Sequence, residues 1–425
     1  MSGKYIEMDV RKMKEFPNFT PQEMLSTHYY ARDLVKKTED LAARTKDAYM
    51  SILIKEIVEK YYDIGAVSQV YQIFGGYINE TFGIYTEKDG EKYTWIFRVY
   101  KRGKKLKVLL FEHAMCLHLK ANGFDLGSVP VSTKNGSTYQ IESLPVPEGG
   151  EEDFYFAVFT YLPGKNTYVW GDCWDKPCHK TAYRDAAVTL AKMHNAGRNF
   201  NPQGLHGENQ MLSDGSTISD TMHKLKDLFR GYRDRCAEGG YVNAYSRYLD
   251  TNYEYLMSII DKSIIPEHML DDSQFPVTTI ECDYHPGNLK YDDNDNVTGS
   301  FDYDYANMDI RIFDVGCAVH YCFPTWAPER DGAMNLEIVA DFLKTYNDTL
   351  KDLGGLSPFT ESEKKYFYEA VLQGNLYIVG WCLRACAEDM TLDPFEYLYY
   401  LQHLISCLKW LEDNEQDIRK LIKGI

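Results

Sequence analysis

Along the first 62 positions the apolar residues recur close to a helical period, with Ile52, Ile54, Ile57 and Val58 closing the run. Further upstream, Thr20-Pro21-Gln22-Glu23 supplies an N-cap, a proline at the first helical position and a glutamate three residues after the cap. The pattern predicts a helical extension over 1–62. From Val67 the texture changes to short β-branched and aromatic runs, at 67–74, 80–87, 93–100, 137–142 and 154–161, with Lys88-Asp89-Gly90 as a hairpin turn. One helix, 108–122, interrupts them and stops at Gly123, a natural C-cap. Hairpin strands with a single inserted helix predict a small α+β lobe over 63–162. After Pro163-Gly164 the period is helical again, at 183–196, 216–235, 244–261, 335–353, 360–386 and 394–423. The stretch 277–305 departs from it with strand-like pieces around a turn. The expected architecture is a bilobal α+β fold, with a helical lobe over 163–425.

A chain of 425 residues exceeds what one hydrophobic core usually serves, which agrees with two lobes. No run approaches the roughly 18 apolar residues of a membrane-spanning helix, and the first residues lack a signal-peptide core, so the expected location is the cytoplasm. The ten cysteines show no paired Cys-x-x-Cys spacing and read as free thiols in a reducing compartment. A formal charge of −17 repels phosphate backbones and anionic lipids, which argues against nucleic-acid and membrane partners. The sequence leaves the oligomeric state open.

The candidate chemistry lies in the departing stretch. Thr279-Ile280-Glu281-Cys282-Asp283-Tyr284-His285-Pro286-Gly287-Asn288 places an aspartate five residues before an asparagine in a turn. Phosphoryl transfer needs a carboxylate to orient and deprotonate the attacking hydroxyl, and oxygen ligands for Mg²⁺ on the phosphates. Asp283 fits the first task and Asn288 the second. A hairpin through Asp292-Asp293-Asn294-Asp295-Asn296 would bring Asp302 beside Asn288, completing a carboxylate and amide pair for the cation. Upstream, the glycines of Phe74-Gly75-Gly76-Tyr77-Ile78-Asn79 lie between two strands, where backbone N–H groups could approach phosphate.

The block from 279 to 322 resembles the catalytic segment of aminoglycoside and choline kinases, whose pattern is His-Gly-Asp-x-His-Pro-x-Asn followed by a strand ending in Asp. Glu281 and Cys282 stand where that family usually has His and Gly. The resemblance implies a protein-kinase-like fold, with ATP and Mg²⁺ as cofactors and a hydroxyl on a small molecule as the phosphate acceptor. It implies that Asp314, in Asp314-Val315-Gly316, leads a helix and braces the catalytic loop. Gly75, Gly76 and Asn79 take the place of the family's glycine-rich loop. Arg98, in the third strand, takes the place of the phosphate-binding cation, with Lys101 as its competitor and Glu112 on the following helix as its partner. Thr160 and Leu162 fall on the strand and hinge that meet the adenine edge.

Within the superfamily the stretch Asp302 to Asp309 and the helix end Leu190 to Gly197 are most similar to type II homoserine kinases, while the Gly-x-Ile-Asn-x-Thr loop is shared with N-acetylhexosamine kinases. The acceptor therefore stays open between an amino alcohol, a hydroxy amino acid such as homoserine and a sugar. A protein-serine kinase of similar fold and a non-catalytic nucleotide-binding regulator are the alternatives. His194 is expected to pack or cap. Trp381, Arg384, Asp389 and the run Tyr397, Tyr399 and Tyr400 lie where the resemblance implies an acceptor pocket built from late helices, with core packing the preferred assignment for each.

Overall fold

The computed structural model describes residues 49–425 except 74–78, 147–148, 170, 210, 241–242, 272 and 389–392. The described part of the N-terminal extension is a helix, α1 (49–61). It lays Met50, Ile54, Ile57 and Val58 against Tyr62 and against Phe82, Ile84 and Phe97 of the sheet that follows. Ile52, expected on the same apolar stripe, points outward and is exposed.

That sheet holds five antiparallel strands: β1 (Ala66–Ile73), β2 (Glu80–Lys88), β3 (Glu91–Val99), β4 (Gln140–Pro145) and β5 (Glu151–Thr160), in the order β1-β2-β3-β5-β4. The turn between β2 and β3 uses Asp89 and Gly90, both at positive φ, as a two-residue hairpin of this kind requires. The inserted helix α2 (Leu106–Ala121) serves two cores at once. Its Leu109 packs with Tyr100, Ala157 and Phe159 under the sheet. Phe111, Met115 and Leu119 instead join the large helical core, where Phe111 meets Phe200 edge-on at 5.5 Å. The small lobe is thereby anchored to the large one through α2.

The helical lobe contains α3 (Lys180–Gly197), α4 (Ile218–Glu238), α5 (Ala244–Ser263), α6 (Arg311–Cys322), α7 (Leu336–Leu353), α8 (Glu361–Glu388), α9 (Pro394–Asp413) and α10 (Glu415–Lys423). The single helix expected over 394–423 is broken at Asn414, whose side chain bonds Trp410 O at 2.8 Å and competes with the helical ladder. Two small antiparallel pairs interrupt the helices: β6 (Val277–Ile280) with β9 (Asn307–Ile310), and β7 (Leu289–Tyr291) with β8 (Val297–Ser300). Among the described residues no helix is long and apolar enough to cross a membrane.

Helix α8 is the axis against which α6 is set. A Cβ on Gly316 would lie 2.5 Å from Ala370 O, so only glycine permits this approach of α6 to α8. The start of α6 is fixed by a fully buried ion pair: Arg311 Nε donates to Glu363 Oε1 at 2.8 Å and Nη2 to Oε2 at 2.7 Å. Arg311 Nη1 also donates to Ser357 O at 2.6 Å. Breaking such a pair strands a buried charge, at a cost of about 3–5 kcal/mol. Glu363→Ala is therefore expected to lower the unfolding free energy by about that much, read as a shift of the urea midpoint at unchanged slope. A midpoint equal to that of the parent chain would show that the pair is not what holds α6.

Candidate active site

The loop that follows β6 is hung from α6. Asp314, in the first turn of that helix, accepts Glu281 N–H at 2.9 Å and Cys282 N–H at 2.7 Å. On its other side the same carboxylate meets His194 Nε2 at 2.9 Å, while His194 Nδ1 lies 2.7 Å from Tyr346 OH. His194 thus ties α3 to the carboxylate that supports the loop, a more specific task than the packing or capping expected. Cys282 sits at φ +64°, in the left-handed region that glycine takes freely and other residues enter at roughly 1–2 kcal/mol. The N–H bonds to Asp314 hold it there.

Next in the chain, Asp283 donates its N–H to Glu281 Oε2 at 2.8 Å. Pro286–Asn288 forms one 3₁₀ turn, capped by His285 Nδ1, which accepts from Gly287 N–H at 3.0 Å. The turn carries Asn288 back to the aspartate, so that its Nδ2 donates to Asp283 O at 3.1 Å and Oδ2 at 3.3 Å. Tyr321, from α6, also hydrogen-bonds the Asp283 carboxylate. His285 Nε2 lies 3.8 Å from it, but burial pushes that imidazole down to about 3, so it stands there neutral. Burial pushes Asp283 up to about 7, against the bonds from Tyr321 and Asn288 and with the Asp302 charge adding to the rise.

The hairpin of β7 and β8 returns the chain to the same place, with Phe301 N–H donating to Asn288 O at 3.1 Å. Asp302 follows at φ +70°, which turns its carboxylate into the cleft, where it is two-fifths exposed. Burial, then the neighbouring Asp304 charge, pushes Asp302 up to about 6.

The opposite wall comes from the sheet. Arg98, on β3, donates through Nη1 to Glu112 of α2 at 2.8 Å and to Asp304 at 3.2 Å, and its Nη2 lies 3.4 Å from Asp302. Glu112 is further held by Tyr100 OH at 3.1 Å. Asn79 donates to the second Asp304 oxygen and accepts Lys101 N–H at 3.0 Å. The Lys101 ammonium reaches across the cleft to Glu208, which also takes Lys104 at 2.7 Å. Arg98 rather than Lys101 therefore faces the loop aspartates.

At the hinge, Thr160 commits its N–H to Val129 O at 3.0 Å, and Leu162 packs on Gly299 of β8. Lys165 and Tyr291 exchange backbone hydrogen bonds at 2.8 and 2.9 Å, which sets this segment on the β7–β8 hairpin. Gly75 and Gly76 lie outside the described residues, as does Asp389.

The structure thus gathers Asp283, Asn288 and Asp302 on one wall and Arg98, Glu112 and Asn79 on the other. Sequence reasoning missed the pairing of Glu208 with Lys101 and Lys104, and the role of Asp304 as the acceptor for both Arg98 and Asn79. The Asp-x-Asp spacing of 302 and 304 was the available signal for the second; the first left none. Among the described residues, no three His, Cys, Asp or Glu side chains converge as a complete metal cage. An amide oxygen and a carboxylate suit Mg²⁺, which ordinarily fills the rest of its shell with phosphate oxygens and water. Because Asn288 turns Nδ2 to Asp283, Oδ1 is the atom of that amide left for a cation.

Comparison with known proteins agrees with this geometry. Residues 70–346 match the phosphotransferase enzyme family. A homoserine kinase of Caulobacter vibrioides is 23% identical over 286 residues, 67% of this chain and 74% of its own length. Among solved structures, an amicoumacin kinase bound to AMP-PNP and Ca²⁺ is similar with a TM-score of 0.57 at 15% identity, over 88% of this chain and 96% of its own. A choline kinase of Cryptosporidium parvum gives 0.54 at 14% identity, over 86% and 97%. A spectinomycin phosphotransferase with ADP and spectinomycin gives 0.54 at 11%, over 84% and 97%. These likenesses establish the protein-kinase-like fold, and the family match spans well over half of the chain. With the aspartate loop, the returning hairpin and the facing arginine, they show that the chain belongs to the phosphotransferase enzyme family.

Proposed function

We propose that the chain transfers the γ-phosphate of ATP to a hydroxyl of a small molecule, in the cleft between lobes at about 63–162 and 163–425. The observation that carries this reading is the placement of Asp283 beside Asn288 and Asp302, opposite the Arg98–Glu112 pair. In this role Asp283 orients the acceptor hydroxyl and takes its proton as the bond to phosphorus forms. Arg98, held by Glu112, binds the phosphates from the sheet side, and the described residue of the glycine-rich segment, Asn79, shares the Asp304 carboxylate with it. Asn288 and Asp302 would hold Mg²⁺, which when bound neutralises phosphate charge. Support for a nucleotide and a divalent cation comes from the amicoumacin kinase of like fold, which holds AMP-PNP and Ca²⁺. Thr160 and Leu162 are assigned to the adenine edge. The ten free thiols suit the cytoplasm.

The acceptor is an amino alcohol, a hydroxy amino acid or a sugar. Homoserine leads, because the curated relative that spans two thirds of this chain is a homoserine kinase. The test is to incubate the purified chain with ATP, Mg²⁺ and a panel of homoserine, amino alcohols, sugars and aminoglycosides, and to read ADP release together with the mass of each acceptor. One class is expected to gain a phosphate in proportion to ADP. Release of ADP at background across the whole panel would overturn the reading.

A further inference from the structure

Glu281 stands where the resemblance expects histidine, and its side chain is built into the loop it begins. The residue is 1% exposed. Its Oε2 accepts Asp283 N–H at 2.8 Å, and its Oε1 is buried with no hydrogen-bond partner among the described residues. Three carboxylates act on it: Asp283 from its own loop, Asp314 from α6 and Asp302 from the end of β8. Tyr321 and Cys317 of α6 also feel its charge, and His194 of α3 is spent on Asp314. An ionised Glu281 would add an uncompensated charge to that group, whereas a carboxylic acid buries only a hydroxyl. The two oxygens then divide the work, Oε2 as the accepting carbonyl oxygen and Oε1 as the hydroxyl.

The loop consequently has three successive N–H groups tied down, those of 281 and 282 to Asp314 and that of 283 to Glu281. We propose that Glu281 is a positioning residue for phosphoryl transfer, a neutral carboxylic acid whose carbonyl oxygen fixes the Asp283 N–H and so aims the Asp283 carboxylate. This inference rests on the kinase reading above. In the neutral state the loop can carry the Asp283 charge alone. Ionising Glu281 in alkaline solution would place a second charge against it and disturb the loop, so turnover falls there.

The experiment compares the parent chain with Glu281→Gln and Glu281→Ala, taking kcat and KM for ATP between about pH 4 and 10, a range that brackets ordinary and strongly raised carboxyl values. Glu281→Gln copies the neutral acid and is expected to keep near-parental kcat while losing the alkaline decline. Glu281→Ala is expected to lower kcat by about 10- to 100-fold, as loss of an outer-shell partner does, with KM for ATP unchanged. Equal damage in the two variants, a parental kcat in Glu281→Ala, or an alkaline decline that persists in Glu281→Gln would each overturn the proposal. Infrared spectra give a readout free of turnover: at neutral pH the parent chain should show a protonated-carboxyl C=O band that Glu281→Gln lacks. Absence of that band overturns the proposal even in an active enzyme. The band in a chain that phosphorylates nothing counts against the kinase reading alone.

Discussion

Replacing Asp283 by alanine lowers kcat by about 10² to 10⁴, the usual contribution of a positioned acid or base, and leaves nucleotide affinity almost unchanged. The expectation follows from where the carboxylate is held. Asn288 and Tyr321 fix its oxygens, neutral His285 lies alongside, and neither Arg98 nor Glu112 of the opposite wall bonds it directly. Transition-state contacts are lost while ground-state contacts to ATP remain, so kcat and not KM for ATP carries the loss. Steady-state kinetics with a separate nucleotide-binding titration test this; a variant that lost ATP binding but kept kcat at saturating nucleotide would place the base elsewhere. The pH dependence has a defined sign. Burial raises Asp283 to about 7, and the ionised form accepts the proton, so kcat rises through about pH 7. Because the folded value exceeds the unfolded one, the folded chain binds this proton more tightly. Stability is then lost as pH rises from the ordinary carboxylate range through about 7. Asp283→Asn, which cannot ionise, should therefore denature at a higher temperature than the parent chain above pH 7.

What the amino-acid pattern disclosed and what it hid follow from the range of the interactions. The β2–β3 turn, the antiparallel strands and the hairpin that returns Asp302 to Asn288 are local, and turn residues between short apolar runs announce them. The loop from Glu281 to Asn288 was legible as a candidate site because its spacing compresses a carboxylate and an amide into six residues. His194 and Asp314 are 120 positions apart, and Lys104 and Glu208 are 104 apart; neither pair imposes a period, so only the fold brings them together. Ile52 shows the converse, since an apolar residue near the right phase can still face outward when α1 has only one sheet to cover. The break at Asn414 was hidden because a side chain that competes for one carbonyl hardly alters the hydrophobic pattern. Cys282 is the instructive departure. The backbone keeps the left-handed turn that a glycine would make, and the two bonds from Asp314 stabilise what the side chain disfavours.

The proposed cation site gives the second large effect. Asp302 and Asp304 are two residues apart and both touch Arg98, yet their surroundings separate their roles. Asp304 is buried, with one oxygen on Arg98 and the other on Asn79, so it is spent on joining the lobes. Asp302 is two-fifths exposed, reaches Arg98 at 3.4 Å, shares a hydrogen bond with the neighbouring Asp304 carboxyl, and stands where Phe301 pairs with Asn288. It is therefore the carboxylate available to a cation shared with the Asn288 amide. Asp302→Asn keeps the volume of the side chain and suits φ +70°, because asparagine is among the residues that best tolerate the left-handed region. The fold should be unchanged by circular dichroism. Loss of the charged ligand removes several kcal/mol of phosphate-charge stabilisation, which corresponds to a fall in kcat of about 10² to 10³. Raising Mg²⁺ to saturation should not restore it, because the missing charge acts in the transition state and not only in binding the ion. Near-normal turnover of Asp302→Asn at saturating Mg²⁺ would move the cation to Asp304. The bonds from Asp304 to Arg98 and Asn79 would then have to open whenever nucleotide binds.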